Sequence, residues 1–338
     1  MKIMIHFLKF TKSVTFTLSL LFLFFPTFLW GQYDFSKEAV KERLSKDMLV
    51  LTSDSLQGRE SGTIYEIKAR DYIAAQFHDI GLKPVVGDTS FNQRFLTIEN
   101  EKSYYNVCGF LDNKAAKTIV IGAHYDHIGM GNFGSRFGPG QIHSGADDNA
   151  SGVVAMLEMA RYLSTQKQET YNYMFVAFTA EEIGLFGSEY FVNSSISKKL
   201  NINYMINFDM VGRFNFDHKK RIIMFGTGSS PQWKKVFKNF KPENFKLKKI
   251  KYGPPFSDHA SFYIKGIPVL YFTTGTPDEY HTPSDIYKII NFDGMADFLE
   301  YVKKITLKME KYDNIKFRES GNCEIFKAYI FIFPEMFK

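Results

Sequence analysis

Four apolar runs in this chain each lead into an acid or a histidine, and this pattern constrains the fold more than any other feature. Residues 118–123 end at His124, residues 174–178 lead to Glu181 and Glu182, residues 204–208 end at Asp209, and residues 268–273 are followed by His281. A short run that is apolar throughout, rather than alternating, suits a strand covered on both faces, as in a parallel sheet. Helical patterns fall between the runs. Val153, Val154, Leu157, Ala160 and Leu163 recur at helical spacing after the first, and residues 187–191 read as a helix after the second. The expectation is an α/β fold, a three-layer αβα sandwich with a mixed, largely parallel central sheet. Sites in open α/β sheets form at the carboxyl ends of the strands, so these polar residues can converge at one rim.

The rest of the chain is consistent with that layout. Residues 36–50 read as a helix capped by Ser36, and residues 56–62 as a polar, glycine-bearing loop. An amphipathic helix carrying Ile73, Phe77 and Ile80 closes at Gly81. Residues 91–98, 104–111 and 222–225 read as strands, residues 231–240 as a helix, and residues 289 to about 311 as the last helix. No internal repeat is present.

Lys2, Lys9 and Lys12 precede the apolar residues 14–30, and Gly31 and Gln32 follow. Residues 1–31 read as a secretory signal peptide cleaved after Gly31, with an uncleaved anchor as the alternative. The expected organisation is a single domain over residues 32–312 and a tail over 313–338. A secreted or periplasmic location follows, with no stable membrane partner after cleavage. The formal charge is +6, half of it from those three lysines, and gives no case for nucleic acid. The basic stretch 234–251 reads as a solvated helix face and loop. With only Cys108, in an apolar strand pattern, and Cys323, the chain is not a disulfide scaffold. Cysteine-based zinc sites are excluded by the same count.

The stretch Gly145-Ala146-Asp147-Asp148-Asn149-Ala150-Ser151-Gly152 sets adjacent carboxylates among small residues. Turn and cap chemistry accounts for it in isolation. Likewise a lone His124 reads as structural, Glu181 and Glu182 as a favourable helix start, Asp209 as a cap and His281 as part of a turn. Their joint occurrence at strand ends reads instead as a metal-donor set. Two close metal ions need a bridging carboxylate and terminal His, Asp or Glu donors, with each imidazole's second nitrogen held by an acceptor. Asp148 could bridge. His124 and His281 are the nitrogen donors, and Glu182 and Asp209 the oxygen donors. Asp126, two residues from His124 on extended backbone, projects the same way and could fix its tautomer. Of Glu181 and Glu182, one can bind metal while its neighbour serves as general base. His78, His127, His143 and His218 are read as structural or surface residues.

The succession Gly122-Ala123-His124-Tyr125-Asp126, the Asp147-Asp148 stretch, Ala180-Glu181-Glu182-Ile183-Gly184-Leu185, Asn207-Phe208-Asp209-Met210 and Tyr280-His281-Thr282-Pro283-Ser284-Asp285 resembles the secreted bacterial two-zinc aminopeptidase family. These are zinc exopeptidases of the leucine aminopeptidase type, related to glutaminyl cyclase and glutamate carboxypeptidase. Ser257-Asp258-His259-Ala260-Ser261-Phe262 adds to the resemblance, which covers roughly residues 37–310. It implies that His124 and Asp209 are terminal ligands of one Zn2+, and Glu182 and His281 of the other. It implies that Asp148 bridges, with a non-proline cis peptide to Asn149, that Asp126 orients His124, and that Glu181 is the general base. Met210, Tyr271 and Phe272 would line the pocket for the first substrate side chain. The spacing between motifs leaves no room for a protease-associated insert, and residues 313–338 have no family counterpart.

The function so implied is an exported metallo-aminopeptidase with two Zn2+ per chain, hydrolysing the N-terminal bond of peptide substrates. Carboxypeptidase or dipeptidase action is an alternative, with Arg136 and Arg213 as candidate anchors for a substrate carboxylate. Glutaminyl cyclase-like acyl transfer is another. A non-catalytic relative would have lost ligands or base, and none is missing.

Overall fold

The structure, a computed structural model, describes residues 33–84, 89–97, 102–215, 218–252 and 256–320. The expected signal peptide, its cleavage position, Cys323 and residues 321–338 lie outside the described residues. Strands β1 (Asn92–Leu96), β2 (Ser103–Leu111), β3 (Thr118–His124), β4 (Asn172–Phe178), β5 (Ile202–Phe208), β6 (Arg221–Phe225), β7 (Lys246–Lys249) and β8 (Val269–Thr273) form one sheet in the order β1-β2-β4-β3-β5-β8-β6-β7. Its centre, β4-β3-β5-β8, is parallel. Antiparallel pairs occur toward the edges, where β2 joins β1 and β4, and β6 joins β8.

Alternation along the central strands explains the layers. Ile119, Ile121, Tyr173 and Phe175 face one apolar cluster, while Val120, Met174, Val176 and Phe178 face another. The first is covered by α1 (Lys37–Leu51), α2 (Ile64–Ile80), α3 (Gly152–Thr165) and α8 (Phe292–Met309). The second is covered by α4 (Phe186–Asn193), α5 (Ser195–Lys199) and α7 (His259–Ile264). This is the expected three-layer sandwich. On α8, Met295, Phe298, Leu299, Val302 and Ile305 form one buried stripe, each side chain worth about 1.5–3 kcal/mol. On α2, Thr63 Oγ1 accepts from Glu66 N, Glu66 Oε2 accepts from Gly62 N at 2.6 Å, and Gly81 closes the helix at φ 85°.

The structure departs from the sequence expectation in places. The helix expected over 231–240 is only α6 (Gln232–Val236), and Asn239 turns the chain at φ 55°. β7 has no counterpart in the expected elements, because Lys-Leu-Lys-Lys carries no apolar run; lysines of this kind suit an edge strand. Residues 313–318 run along the domain, with Ile315 buried and Arg318 N donating to Ser229 O.

The connectivity positions the site. The chain leaves β3 through α3 on one face to reach β4, then crosses through α4 and α5 on the other face to reach β5. β3 therefore lies between strands whose connections diverge, the crevice where α/β proteins build sites.

Candidate metal centre

Each candidate donor sits at that crevice. His124 ends β3, Glu181 and Glu182 follow β4, Asp209 follows β5, and His281 lies on the loop after β8. Asp148 enters on the wide turn Ala146–Ser151 before α3. Three non-glycine residues at or beside donors adopt left-handed backbone: Ala180 (φ 55°), Met210 (φ 57°) and His281 (φ 56°). Such conformations persist where surrounding structure enforces them, commonly at functional sites.

The turn carrying Asp148 is held by groups on separate elements. Asp285 accepts from Asp147 N at 2.8 Å and from Asp148 N at 3.0 Å, one bond to each carboxylate oxygen. Gly212 N donates to Asp147 Oδ1 at 2.7 Å, so Asp147 ties this turn to the segment after β5. The Asp148–Asn149 peptide is cis. Asn149 donates to Phe208 O at 3.0 Å and accepts from Met210 N at 3.2 Å, which fixes the turn against the Asp209 segment. Beneath it lies the fully buried Arg59. Its guanidinium donates to Tyr125 O (2.8 Å), Leu51 O (2.6 Å), Ser144 O (2.7 Å) and Gly145 O (3.0 Å). Burial pulls its pKa down to about 10, opposed by Asp285, Asp126, Asp148 and Glu182. Sequence reasoning missed Arg59, which stands alone in a polar loop, and the anchoring role of Asp285, although Asp285 belongs to the His-Thr-Pro-Ser-Asp motif.

The donor atoms form overlapping groups. His124 Nε2 lies 3.4 Å from Asp148 Oδ1 and 3.6 Å from Asp209 Oδ1. His281 Nε2 lies 3.1 Å from both Asp148 Oδ2 and Glu182 Oε2. Asp148 belongs to both groups. His281 Nδ1 is 2.9 Å from Gly134 O, which sets the tautomer that leaves Nε2 free to act as a donor to metal. For His124 the near acceptor is the backbone carbonyl of Asp126, at 3.3 Å from Nδ1, while the Asp126 carboxylate lies 3.8 Å away. That carboxylate instead accepts from Ser61 Oγ (2.6 Å), Glu181 N (3.2 Å) and Glu182 N (3.3 Å). Asp126 thus holds the Glu181–Glu182 turn as well as flanking His124.

His127, read from the sequence as structural, is at the centre. Its Nδ1 is 2.7 Å from Glu182 Oε1 and 3.9 Å from Asp148 Oδ2, and it groups with Asp148, Glu182 and His281. The residue is three positions past His124, and only the bend after β3 brings it back to the site. Among the described residues, His127 Nε2, His281 Nε2 and Asp148 Oδ2 are buried without a hydrogen bond. Buried polar atoms are rarely left so; His281 Nε2 and Asp148 Oδ2 face each other at 3.1 Å, an imidazole nitrogen and a carboxylate oxygen that fit a divalent metal, whereas His127 turns Nδ1 toward the donors.

Without metal, the imidazoles act as the countercharges of these acids. Burial raises the Asp148 pKa, but His124, His281 and His127 outweigh it and hold the carboxyl well below its usual range. Glu182 is held at about 2: burial and Asp148 push it up, and His127 and His281 prevail. Glu181 behaves oppositely. Burial, with Glu182, Asp209 and Asp258 nearby, pushes it well above the usual carboxylate range despite His124.

A cavity of about 520 Å³ opens over these donors. Met210 and Tyr271 line it, together with Ile223, Phe225, Phe256 and Tyr280. Phe272 does not. On β8 it points the other way, into the core against Phe208 and Phe298, because neighbours on a strand face opposite sides. Arg136 is exposed, and Arg213 pairs with Glu279 at 3.1 Å beside a separate cleft; neither lines this cavity.

Fold and site together define an α/β protein with a carboxylate–imidazole cluster, a candidate metal centre, at the topological switch point. The chain belongs to Peptidase family M28, which matches residues 106–306. It is 30% identical to aminopeptidase YwaD of Bacillus subtilis over 223 residues, covering 61% of this chain and 46% of that protein. The chain spans about half the length of curated relatives it matches, 46% in two cases. The structure of BSAP, a zinc aminopeptidase from Bacillus subtilis, superposes with a TM-score of 0.62 at 17% identity, covering 86% of this chain and 97% of that one. Glutaminyl cyclase from Porphyromonas gingivalis superposes with a TM-score of 0.64 at 19% identity, covering 81% and 98%. At such identities these two likenesses concern the fold.

Proposed function

We propose that this protein is an exported aminopeptidase that releases the N-terminal residue of peptides, using two zinc ions, with Glu181 as general base. Asp148 carries the proposal: its carboxylate belongs at once to a donor group with His124 and Asp209 and to another with Glu182 and His281. With zinc present, His124 and Asp209 would hold one ion and Glu182 and His281 the other, with Asp148 between them. Family membership and similarity to aminopeptidase YwaD support the peptide substrate class and the direction of attack. The basic, then apolar, residues 1–31 support export.

When bound, the metals supply Lewis acidity, polarising the scissile carbonyl and lowering the pKa of water. The protein's groups do the rest. Glu181, its proton affinity raised by burial and neighbouring acids, takes the proton of the attacking water and returns it to the departing amine. Asp126 positions Glu181 and Glu182 through their backbone N–H groups. His127 Nδ1 donates to Glu182 Oε1 and fixes that ligand's orientation. Met210 and Tyr271 shape the space for the first side chain.

Free and N-acetylated aminoacyl 4-nitroanilides, with and without chelator, test the proposal. Release only from free-amine substrates, lost with chelator and restored by zinc, is expected. Cleavage of the N-acetylated substrates would contradict it. Cyclisation of an N-terminal glutaminyl peptide without release would move the assignment to acyl transfer.

A further inference from the structure

We infer that Ser135, braced by the buried His143, is a positioning residue for His281 and so sets the affinity of one of the two metal positions. The inference rests on the two-zinc reading proposed above.

His281 is gripped by one loop at two points. Its Nδ1 lies 2.9 Å from Gly134 O, and its own carbonyl accepts from Arg136 N at 2.9 Å. Ser135 is the residue between these two contacts. Tyr280 stacks on the imidazole, with ring centroids 3.8 Å apart. The loop thus holds both the ring and the backbone of a residue kept at φ 56°. An imidazole aims one nitrogen only as well as the partner of its other nitrogen is fixed. Whatever fixes residues 134–136 therefore aims His281 Nε2.

The backbone of the loop is poorly suited to fix itself. Gly129, Gly131, Gly134, Gly138 and Gly140 all take positive φ, and Arg136 and Phe137 at its tip are exposed. Glycines lose the most conformational freedom on ordering, so side chains have to supply the fixed point. Ser135 supplies it. Its Oγ accepts from Phe137 N at 3.0 Å and from Gly138 N at 2.8 Å, and lies 2.8 Å from His143 Nε2.

His143, read from the sequence as structural or surface, is the peg around which the loop closes. It is fully buried. Gln141 O lies 3.0 Å from Nδ1, and a carbonyl can only accept, so Nδ1 carries the proton and Nε2 accepts from Ser135 Oγ. Burial, with His127 and His281 nearby, lowers the pKa of His143 despite Gln141 O, which favours this neutral ring. His143 N donates to Gly129 O, and Gly140 N to Met130 O, each at 2.9 Å, so the neck of the loop is closed. A Cβ at Gly131 would lie 2.4 Å from His143 Cε1, which shows how closely the loop wraps the ring.

Contacts therefore run from His143 through Ser135 and Gly134 to His281, and none of the first three lines the cavity over the donors. The effect on metal is selective. His281 groups with Asp148 and Glu182, whereas His124 groups with Asp148 and Asp209. Loosening this loop weakens the first position more than the second.

Amide exchange and zinc affinity test this together. On metal-free protein, hydrogen exchange at the Arg136 amide should quicken about tenfold or more in S135A and H143A. Stepwise zinc titration against chromogenic chelators then reads each metal position, and H281A identifies the step that depends on His281. In S135A and H143A that step should weaken about tenfold, and the other by less than about threefold. Glutamine can place an acceptor where Nε2 stood, and asparagine only where Nδ1 stood. H143Q should therefore stay near wild type, while H143N falls with H143A. Thermal melting checks that each variant is folded. Arg136 exchange and zinc steps within about twofold of wild type in folded S135A and H143A would overturn the inference. Equal weakening of both steps, the mark of a general loosening, would overturn it as well. If the wild-type protein binds fewer than two zinc ions, the two-zinc proposal itself fails, and the Arg136 exchange arm still decides whether Ser135 and His143 hold His281.

Discussion

Replacing Arg59 by methionine keeps most of the buried volume and removes every donor. Three backbone carbonyls, of Leu51, Tyr125 and Ser144, then lose their partner in an enclosed space, while Gly145 O keeps its bond from Ala150 N at 3.2 Å. Each buried acceptor left unmatched costs about 1–3 kcal/mol. Removing the cation also relieves its own desolvation, while depriving Asp285, Asp126, Asp148 and Glu182 of countercharge. Taking the lower bound for each of these three carbonyls, and treating the two charge effects as offsetting, gives about 3 kcal/mol, at the lower end of the range for breaking a buried charged network. The unfolding entropy of a domain this size is about 0.6 kcal/mol per kelvin, so the melting temperature should drop by about 5 °C. Calorimetry on chelated protein reads this without metal linkage, which would otherwise add stability of its own. Arg59 also joins the His124–Asp126 segment to the turn carrying Asp148, so zinc affinity should fall about 10–100-fold. Arg59→Lys, which keeps charge but cannot reach all four carbonyls, should lie between. A melting temperature for Arg59→Met within about 2 °C of wild type would refute the clamp.

Asp285→Asn turns one acceptor oxygen into an amide donor facing Asp147 N or Asp148 N, and zinc affinity measured against a chromogenic chelator should fall about 10–100-fold. Gly152→Ala puts a Cβ 2.3 Å from both Asn149 Oδ1 and Phe208 O, so a loss of about 1–3 kcal/mol in urea unfolding is expected, together with lower activity; unchanged values would contradict the tight approach. Burial pushes the Glu66 carboxyl up to about 8, above its usual 4.5, so its contribution to the stability of metal-free protein is complete below pH 4.5 and is lost as pH rises through about 8. Glu66→Gln should remove a slope approaching about 1.4 kcal/mol per pH unit from urea melts across that window, and an unchanged pH profile would argue against it.

The central strands were legible because burial on both faces leaves a continuous apolar run, and the polar residue at the end of each run marked the rim of the site. The same property hid the pocket. In β8 every residue is buried, so the sequence cannot say whether Tyr271 or Phe272 faces the substrate side; the register with β6 decides it. β6 itself shows the alternation, but the strand read from sequence spans only residues 222–225 and leaves out Arg221, which lines the cavity. His127 required the bend after β3, and Arg59 required the convergence of four carbonyls from separate segments. A buried arginine whose partners are backbone atoms has no sequence signature, because any residue can supply a carbonyl. The donor motifs were legible for the opposite reason: the partner they fit is an ion, so the acids and histidines stand without compensating residues nearby in sequence.

Zinc content and turnover measured together on Glu181→Gln protein, beside the wild type, address the central proposal most directly. Glu181 is assigned to proton transfer and not to metal binding, so the variant should hold the same two zinc ions per chain as the wild type. It should lose about 10²–10⁴-fold in kcat on an aminoacyl 4-nitroanilide, the usual cost of removing a general base. A variant that keeps full activity, or a wild-type protein that binds a single zinc at full activity, would contradict the account.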